Sequence, residues 1–200
     1  MVKFGLIRHA RTRWNIEKKI QGKNNMPLSP EGIPEACLWG EILSKKKYNL
    51  ILASPMIRAE QTARIISHKI NVDIEFDRDL REQDFGAWEG RRIIDIKEQA
   101  PGEIEFQESR GWKFCPADGE SSLKVLKRVS KAMEKAAKNF DEKHVLVVAH
   151  NSVMKTLIYK ILGKAFIPDE APLLKDYHLH ELSWDGKKFQ IEKLNSIKLL

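Results

Sequence analysis

The chain has 200 residues, 42% hydrophobic and 32% charged, with a formal charge of +7 and a pI near 9.3. That size supports one well-buried core and a single domain over residues 1–200, and no apolar run is long enough to span a bilayer. The positive balance suits an anionic partner. The lysines, however, are spread over predicted helices and the C-terminal end, without the clustered basic stripe and module of a nucleic-acid binder. The expectation is therefore a small anionic ligand, with no nucleic acid and no membrane. Met1-Val2-Lys3 runs straight into the first predicted strand, so no secretory leader is expected. Cys37 and Cys115 lie far apart and make no metal or redox spacing, so they read as idle thiols of a cytoplasmic chain with no metal site.

In chain order, residues 2–8 read as a buried strand that delivers Arg8 and His9 into a polar loop over 9–28. Loops of that length inside a compact domain are uncommon and are often functional. Ser29-Pro30-Glu31 is a helix start, and the helix is expected to run to about Lys46, with Ala36, Leu38, Trp39, Ile42 and Leu43 on its apolar face. Pro34 should distort its second turn. Residues 49–53 form a second buried strand, followed through Ser54-Pro55 by a helix over 57–70 that carries Arg58 near its start. A short strand over 72–76 leads into a connector holding Leu80-Arg81-Glu82. Short helices are expected over 91–100 and 103–109. Leu123, Leu126, Val129, Met133, Ala136 and Phe140 recur at helical spacing in a helix over 121–139. The continuous apolar strand 144–149 ends at His150, and a helix follows over 152–162. Residues 177–184 and 188–194 read as a hairpin turned by Asp185-Gly186. Strands alternating with helices predict a three-layer α/β/α sandwich with a mostly parallel sheet.

In a parallel sheet the strand ends carrying Arg8-His9 and His150, and the helix start carrying Arg58, open on the same side. Two histidines, two arginines and at least two helix N-termini would then converge on one crevice. Helix N-termini favour anions, and arginine forks match phosphate oxygens. Such a site suits phosphoryl transfer, which asks chiefly for positioning and charge stabilisation. A neutral imidazole can be the nucleophile, and a carboxyl such as Glu82, with a raised pKa, can protonate the leaving group.

At these residues the chain resembles the histidine phosphatase superfamily, the phosphoglycerate mutase-like family. The matching motifs are Leu6-Ile7-Arg8-His9-Ala10-Arg11-Thr12-Arg13-Trp14-Asn15, Gln21-Gly22 and Pro27-Leu28-Ser29-Pro30-Glu31-Gly32. Further along come Ser54-Pro55-Met56-Ile57-Arg58-Ala59-Glu60-Gln61-Thr62-Ala63, then Leu80-Arg81-Glu82 with Phe85-Gly86-Ala87-Trp88-Glu89-Gly90, then Gly119-Glu120-Ser121 and Val148-Ala149-His150. They fall in family order over almost the whole chain, and the ordered set is far more specific than any one motif. The resemblance implies the phosphoglycerate mutase-like fold and a His9 nucleophile that becomes phosphorylated. Arg8, Arg58 and His150 would clamp the phosphoryl oxygens, and Glu82 would be the general acid and then the base for water. Asn15 would add a phosphate hydrogen bond, and Gln21 and Gly22 would line the pocket. No metal is implied. Ala10 and Asn151 depart from the family's usual glycines. Asn151 is counted with the phosphate-binding residues, and asparagine tolerates a left-handed turn there. Arg11 stands where the family often has Glu, Gln or Ser, and it reads either as a solvated arginine or as a contact to a second anionic group.

Several functions remain open within this family, because function lives in the site and not in the fold. The favoured reading is a metal-independent phosphatase of small phosphate monoesters, since the stretch over 91–120 is shorter than the lid of mutases in this family and admits water. The alternatives are a cofactor-dependent phosphoglycerate mutase, which alone would need 2,3-bisphosphoglycerate, a fructose-2,6-bisphosphatase-like enzyme, and a non-catalytic binding protein that kept the fold. No other cofactor is expected. A homodimer through an edge strand or exposed helix is left open.

Overall fold

The structure is a computed structural model describing residues 1–168 and 172–200. One sheet holds six strands: β1 (Val2–Arg8), β2 (Leu50–Ala53), β3 (Ile74–Phe76), β4 (His144–Ala149), β5 (His178–Trp184) and β6 (Phe189–Lys198), in the order β3-β2-β4-β1-β5-β6. The first four in that order run parallel, and β5 and β6 add an antiparallel edge. The seven α-helices among the described residues are α1 (Arg13–Ile16), α2 (Gly32–Leu43), α3 (Ile57–Ile70), α4 (Ile93–Gln99), α5 (Glu103–Ser109), α6 (Ser122–Asn139) and α7 (Asn151–Ile161).

The pleat explains the layers. Successive side chains of a strand point to opposite faces, so β4 sends Val145 and Val147 to one core and Leu146 and Val148 to the other. The first core also holds Phe4, Leu6 and Leu52 and is covered by α6 and α7. The second holds Ile7 and Ile51 and is covered by α2 and α3. Both faces of β2 and β4 and most of β1 are therefore buried, as their apolar sequences require, whereas β3 at the edge leaves Glu75 and Phe76 exposed. The architecture is the expected three-layer α/β/α sandwich. A small third cluster of Trp88, Ile96 and Ile104 seats the segment around α4 and α5.

The structure corrects several local expectations. The helix predicted from Ser29 begins at Gly32, with Ser29 Oγ accepting from the Gly32 N–H at 3.1 Å. Pro34 therefore falls in the first turn, where its missing N–H has no intrahelical partner to lose, and the helix is undisturbed. Leu38 on α2 and Leu123 on α6 are exposed. The buried stripes run instead through Ala36, Trp39 and Leu43, and through Val125, Val129 and Met133, at the three-to-four-residue spacing of one helix face. The long loop over 9–28 contains α1 and is pinned by isolated bridges pairing Thr12 with Leu28 and Lys19 with Arg92. Strand β6 reaches Lys198, past the predicted end at Leu194, with a bulge around Glu181 and Asn195 in the left-handed region at φ 51°.

The start of α2 is packed directly on the loop that follows β1. A Cβ on Gly32 would lie 2.1 Å from the Arg11 carbonyl oxygen, a contact with backbone that no rotamer relieves. Gly32→Ala is expected to destabilise by about 1–3 kcal/mol, lowering Tm by roughly 2–4 °C for each kcal/mol in a chain of this size. An unchanged melting curve would contradict this packing.

Candidate active site

Three adjacent central strands, β2, β4 and β1, bring the site together at their C-terminal ends. The His9 N–H continues the pairing by donating to the Ala149 carbonyl at 3.1 Å, and the Ser54 N–H does the same to Val148 at 3.0 Å. His9, Ser54 and His150 are thus fixed by sheet register. The rings of His9 and His150 lie 5.3 Å apart, both buried.

The hydrogen bonds of His9 determine its tautomer. Nδ1 lies 2.7 Å from the Ala10 carbonyl, which can only accept, so Nδ1 carries the proton. Nε2 is therefore the lone-pair nitrogen, and it accepts from Arg58 Nε at 3.1 Å. Burial, then the positive charges of Arg58 and Arg8, holds His9 well below the usual imidazole range. Burial, then Arg58 and His9, does the same to His150. Both rings are neutral at neutral pH.

Arg58 is fully buried in the first turn of α3. Besides His9, its guanidinium donates to the carbonyls of Asn24 at 2.8 Å and Gly22 at 2.9 Å. Burial lowers it to about 10, against the opposing charge of Glu82, so it stays cationic at neutral pH. Gly22 meets a double constraint: its φ is +51°, and a Cβ there would sit 1.9 Å from a Glu89 carboxylate oxygen. That carboxylate in turn accepts from the Lys23 N–H at 2.8 Å and from Asn24 Nδ2 at 2.6 Å, tying the loop after β1 to the segment after Glu82.

These residues surround a cup of about 210 Å³ lined by Arg8, His9, Gln21, Gly22, Arg58, Glu82 and Asn151. Lys18, Lys19, Ile20, Phe85 and Ser152 complete its wall. Glu82 also borders a wider outer cavity of about 460 Å³. Three buried polar atoms around the cup have no hydrogen-bond partner among the described residues: Arg8 Nε, Gln21 Oε1 and His150 Nδ1. Such orphans cost free energy and mark a place that a polar ligand completes. Helix α7 begins at Asn151 with no side-chain cap on its N-terminus, which adds directed N–H groups on the same side. Among the described residues no group of three or more His, Cys, Asp or Glu side chains is placed to hold a metal ion.

The residues singled out by sequence fall into three groups. Arg8, His9, Gln21, Gly22, Arg58, Glu82 and Asn151 meet at the cup, while His150 lies behind the lining with its ring tilted 59° to that of His9. Asn15 does not line it. Its Oδ1 accepts from the Thr12 N–H and hydroxyl, both at 3.0 Å, in a capping box that starts α1. Arg11 points away: its Nε donates to buried Glu35 at 2.5 Å, and it anchors α2 rather than facing a substrate. Asn151 is the first residue of α7 and is not among the positive-φ residues, so no left-handed turn is needed there. Ala10 likewise has an ordinary backbone, and its N–H donates to Thr62 Oγ1 at 3.0 Å.

Sequence reasoning missed four contributors. Ser54 Oγ is 2.8 Å from His150 Nε2, and its place straight after β2 was the available signal. Thr62 bridges Ala10 to the Arg58 carbonyl, donating to it at 2.7 Å. Asp176 accepts from Arg8 Nη1 at 3.2 Å, and Tyr177 lies under the same guanidinium. Nothing local could link these last two to a residue so distant in sequence.

The histidine environments carry a stability consequence. His180 is also buried, which with His178 lowers it to about 4. Because these imidazoles resist protonation when folded, the unfolded chain binds more protons below its ordinary value of 6.5. Stability is full above that value and is lost as pH falls. Tm should decline from about pH 6.5 towards about pH 4, and His180→Gln should flatten the slope. A Tm independent of pH in that window would contradict the assignment.

Comparison with known proteins agrees with this geometry. The profile of the histidine phosphatase superfamily (branch 1) matches residues 4–197. A probable phosphoglycerate mutase GpmB of Salmonella arizonae is 32% identical over 163 residues, covering 82% of this chain and 76% of that one. Bacillus stearothermophilus YhfR superimposes with a TM-score of 0.87 at 26% identity, covering 100% of this chain and 99% of its own. A phosphoserine phosphatase of Entamoeba histolytica, solved with 3-phosphoglyceric acid, superimposes with a TM-score of 0.85 at 25% identity over 100% of this chain and 99% of that one. With its fold, its strand-end histidines and its buried arginine accounted for, the chain belongs to the histidine phosphatase superfamily.

Proposed function

We propose that the chain is a phosphomonoesterase of small phosphorylated metabolites that works through a phosphohistidine on His9 and needs no metal. The observation that carries this reading is the state of His9: neutral, buried at the wall of the cup, with Nδ1–H fixed on Ala10 and Nε2 left as the lone-pair nitrogen, which Arg58 Nε–H occupies until a phosphoryl group takes its place. In the first step the Arg58 Nε–H bond to Nε2 gives way, and the freed lone pair attacks phosphorus in line as the ester P–O bond breaks. Glu82 gives a proton to the leaving oxygen, and the Nδ1–H bond to Ala10 supports the positive charge that forms on the ring. Arg8, Arg58 and His150 hold the equatorial oxygens, where charge stabilisation matters most. Arg58 has five N–H donors; the carbonyls of Gly22 and Asn24 take two, so the Nε–H released from His9 and two further N–H groups can serve phosphoryl oxygens. In the second step water attacks the phosphohistidine, the Glu82 carboxylate takes its proton, and the N–P bond breaks to release inorganic phosphate and neutral His9.

Hydrolysis is favoured over transfer because Glu82 borders both the cup and the larger outer cavity. Water thereby has a route to the group that must activate it. The mutase-named relative supports a second reading, in which the phosphoryl group returns to another hydroxyl of a phosphoglycerate. The Entamoeba neighbour, a phosphatase by its name, supports the first.

The two readings separate in one assay. The protein is incubated with p-nitrophenyl phosphate or 3-phosphoglycerate in the presence of EDTA, with His9→Ala as control. Phosphate release that survives EDTA and disappears in the control is the expected result, with the control down by at least about 10³-fold, since the covalent route is lost. Isomerisation to 2-phosphoglycerate that depends on 2,3-bisphosphoglycerate, with little free phosphate, would replace the hydrolase by the mutase.

A further inference from the structure

Glu82 sits in an irregular connector between two single 3-10 turns, Arg78–Leu80 and Gly86–Trp88. A proton donor must stay within hydrogen-bond reach of the atom it serves, and a displacement of about 1 Å can cost about 10²-fold in rate. A bare connector is a poor platform for that precision. The restraint comes from Arg128, in the middle of α6. Its Nη1 donates to the carbonyls of Asp79 at 2.7 Å and Arg81 at 2.6 Å, and its Nη2 to the carbonyl of Glu82 at 3.1 Å. One guanidinium thus binds three carbonyls of the segment that ends in the Glu82 backbone. The same group is held by Glu120, whose two oxygens accept from Nε and Nη2 at 2.9 Å each. The pair is largely shielded, with side chains 14% and 21% exposed. Glu120 extends the stitching through its backbone, accepting from Gln83 Nε2 at 2.7 Å and donating to the Asp84 carbonyl at 2.8 Å.

We propose that Arg128, braced by Glu120, is the positioning residue that holds Glu82 at the mouth of the cup. The proposal rests on Glu82 being the proton donor of the reading above. Arg128 needs the planar fork of arginine, because a lysine ammonium cannot serve three carbonyls and a carboxylate in one plane. Its charge is paired with Glu120, and although it borders the outer cavity beside Glu82, its hydrogen bonds go to the connector, so the part assigned to it is geometric.

The test uses kcat/KM, which reports the step that breaks the ester bond, over 2,4-dinitrophenyl, p-nitrophenyl, phenyl and methyl phosphates. Protonation by Glu82 matters little for the best leaving group and greatly for the poorest. Glu82→Gln should therefore lose activity in increasing measure along the series. Arg128→Gln should steepen the same dependence, with little loss on dinitrophenyl phosphate and a loss of about 10–100-fold on phenyl phosphate. Inhibition by inorganic phosphate should be unchanged, because the cup is intact. Added to Glu82→Gln, the Arg128 substitution should cost almost nothing more. Equal losses across the series, or additive losses in the double variant, would overturn the proposal. So would a raised KM with an unchanged leaving-group slope, which would make Arg128 a substrate contact. If Glu82→Gln shows no leaving-group dependence, the proton-donor role of Glu82 fails first, and the positioning role goes with it. Thermal melts establish that each variant is folded, and Arg128→Lys and Glu120→Gln carry the same comparison should Arg128→Gln not fold.

Discussion

A guanidinium taken wholly out of water is the constraint on which the site depends. Desolvating the Arg58 cation is costly, and the fold meets that cost by surrounding it with acceptors already held in place: His9 Nε2 and the carbonyls of Gly22 and Asn24. Each partner is fixed in turn by something outside the site. His9 is set by the register of β1 against β4, Gly22 by a positive φ and the Glu89 carboxylate, and the helix bearing Arg58 by Asn25 Oδ1, which accepts from the Ile57 N–H at 2.7 Å. The result is a preorganised pocket, in which the tautomer of His9 and the direction of the Arg58 cation are determined before a ligand arrives. Such preorganisation is what catalysis by positioning and electrostatics requires.

The same logic extends outward from the cup. Arg8 is directed by Asp176 and Tyr177, and α2 is docked on the loop after β1 by the pairing of half-exposed Arg11 with buried Glu35. The Glu82 connector is held against α6 by Arg128 and Glu120. In each case an irregular segment that carries chemistry is tied to a regular element by an arginine whose charge is matched or whose donors go to carbonyls. Arginines of this kind contribute little as isolated surface pairs; their value here lies in direction. Function then rests on loops held by a rigid sheet, with the two cores on either side of β4 supplying the rigidity.

Much of this was legible in the sequence, for identifiable reasons. The continuous apolar runs of β1 and β4 and the Ser54-Pro55 break after β2 mark parallel strands whose ends must meet, so Arg8, His9, Arg58 and His150 could be brought together from order alone. Gly22 and Gln21 came with the family's motifs and line the cup. Three things could not be read. Leu38 and Leu123 look like core by composition but lie off the buried stripe, which is set by the neighbouring layer and not by the helix itself. Asn15 is held by a local capping box with Thr12 through its oxygen and does not line the cup, a placement that long-range packing sets. Asp176 and Arg128 reach the site from distant segments, and long-range ion pairs leave no periodic signal. Arg11 shows the same limit from the other side: close to His9 in sequence, it is directed away by a glutamate on α2.

The account stands on His9 Nε2 as the atom that accepts the phosphoryl group. The most direct measurement is phosphorus NMR of the protein, denatured in alkali during turnover of p-nitrophenyl phosphate, with peptide mapping of the modified residue. The account predicts a single phosphohistidine at His9, bonded through Nε2, that vanishes when substrate is exhausted. Phosphorylation through Nδ1 or on another residue, or full turnover by a folded His9→Gln variant without any phosphoprotein, would contradict it.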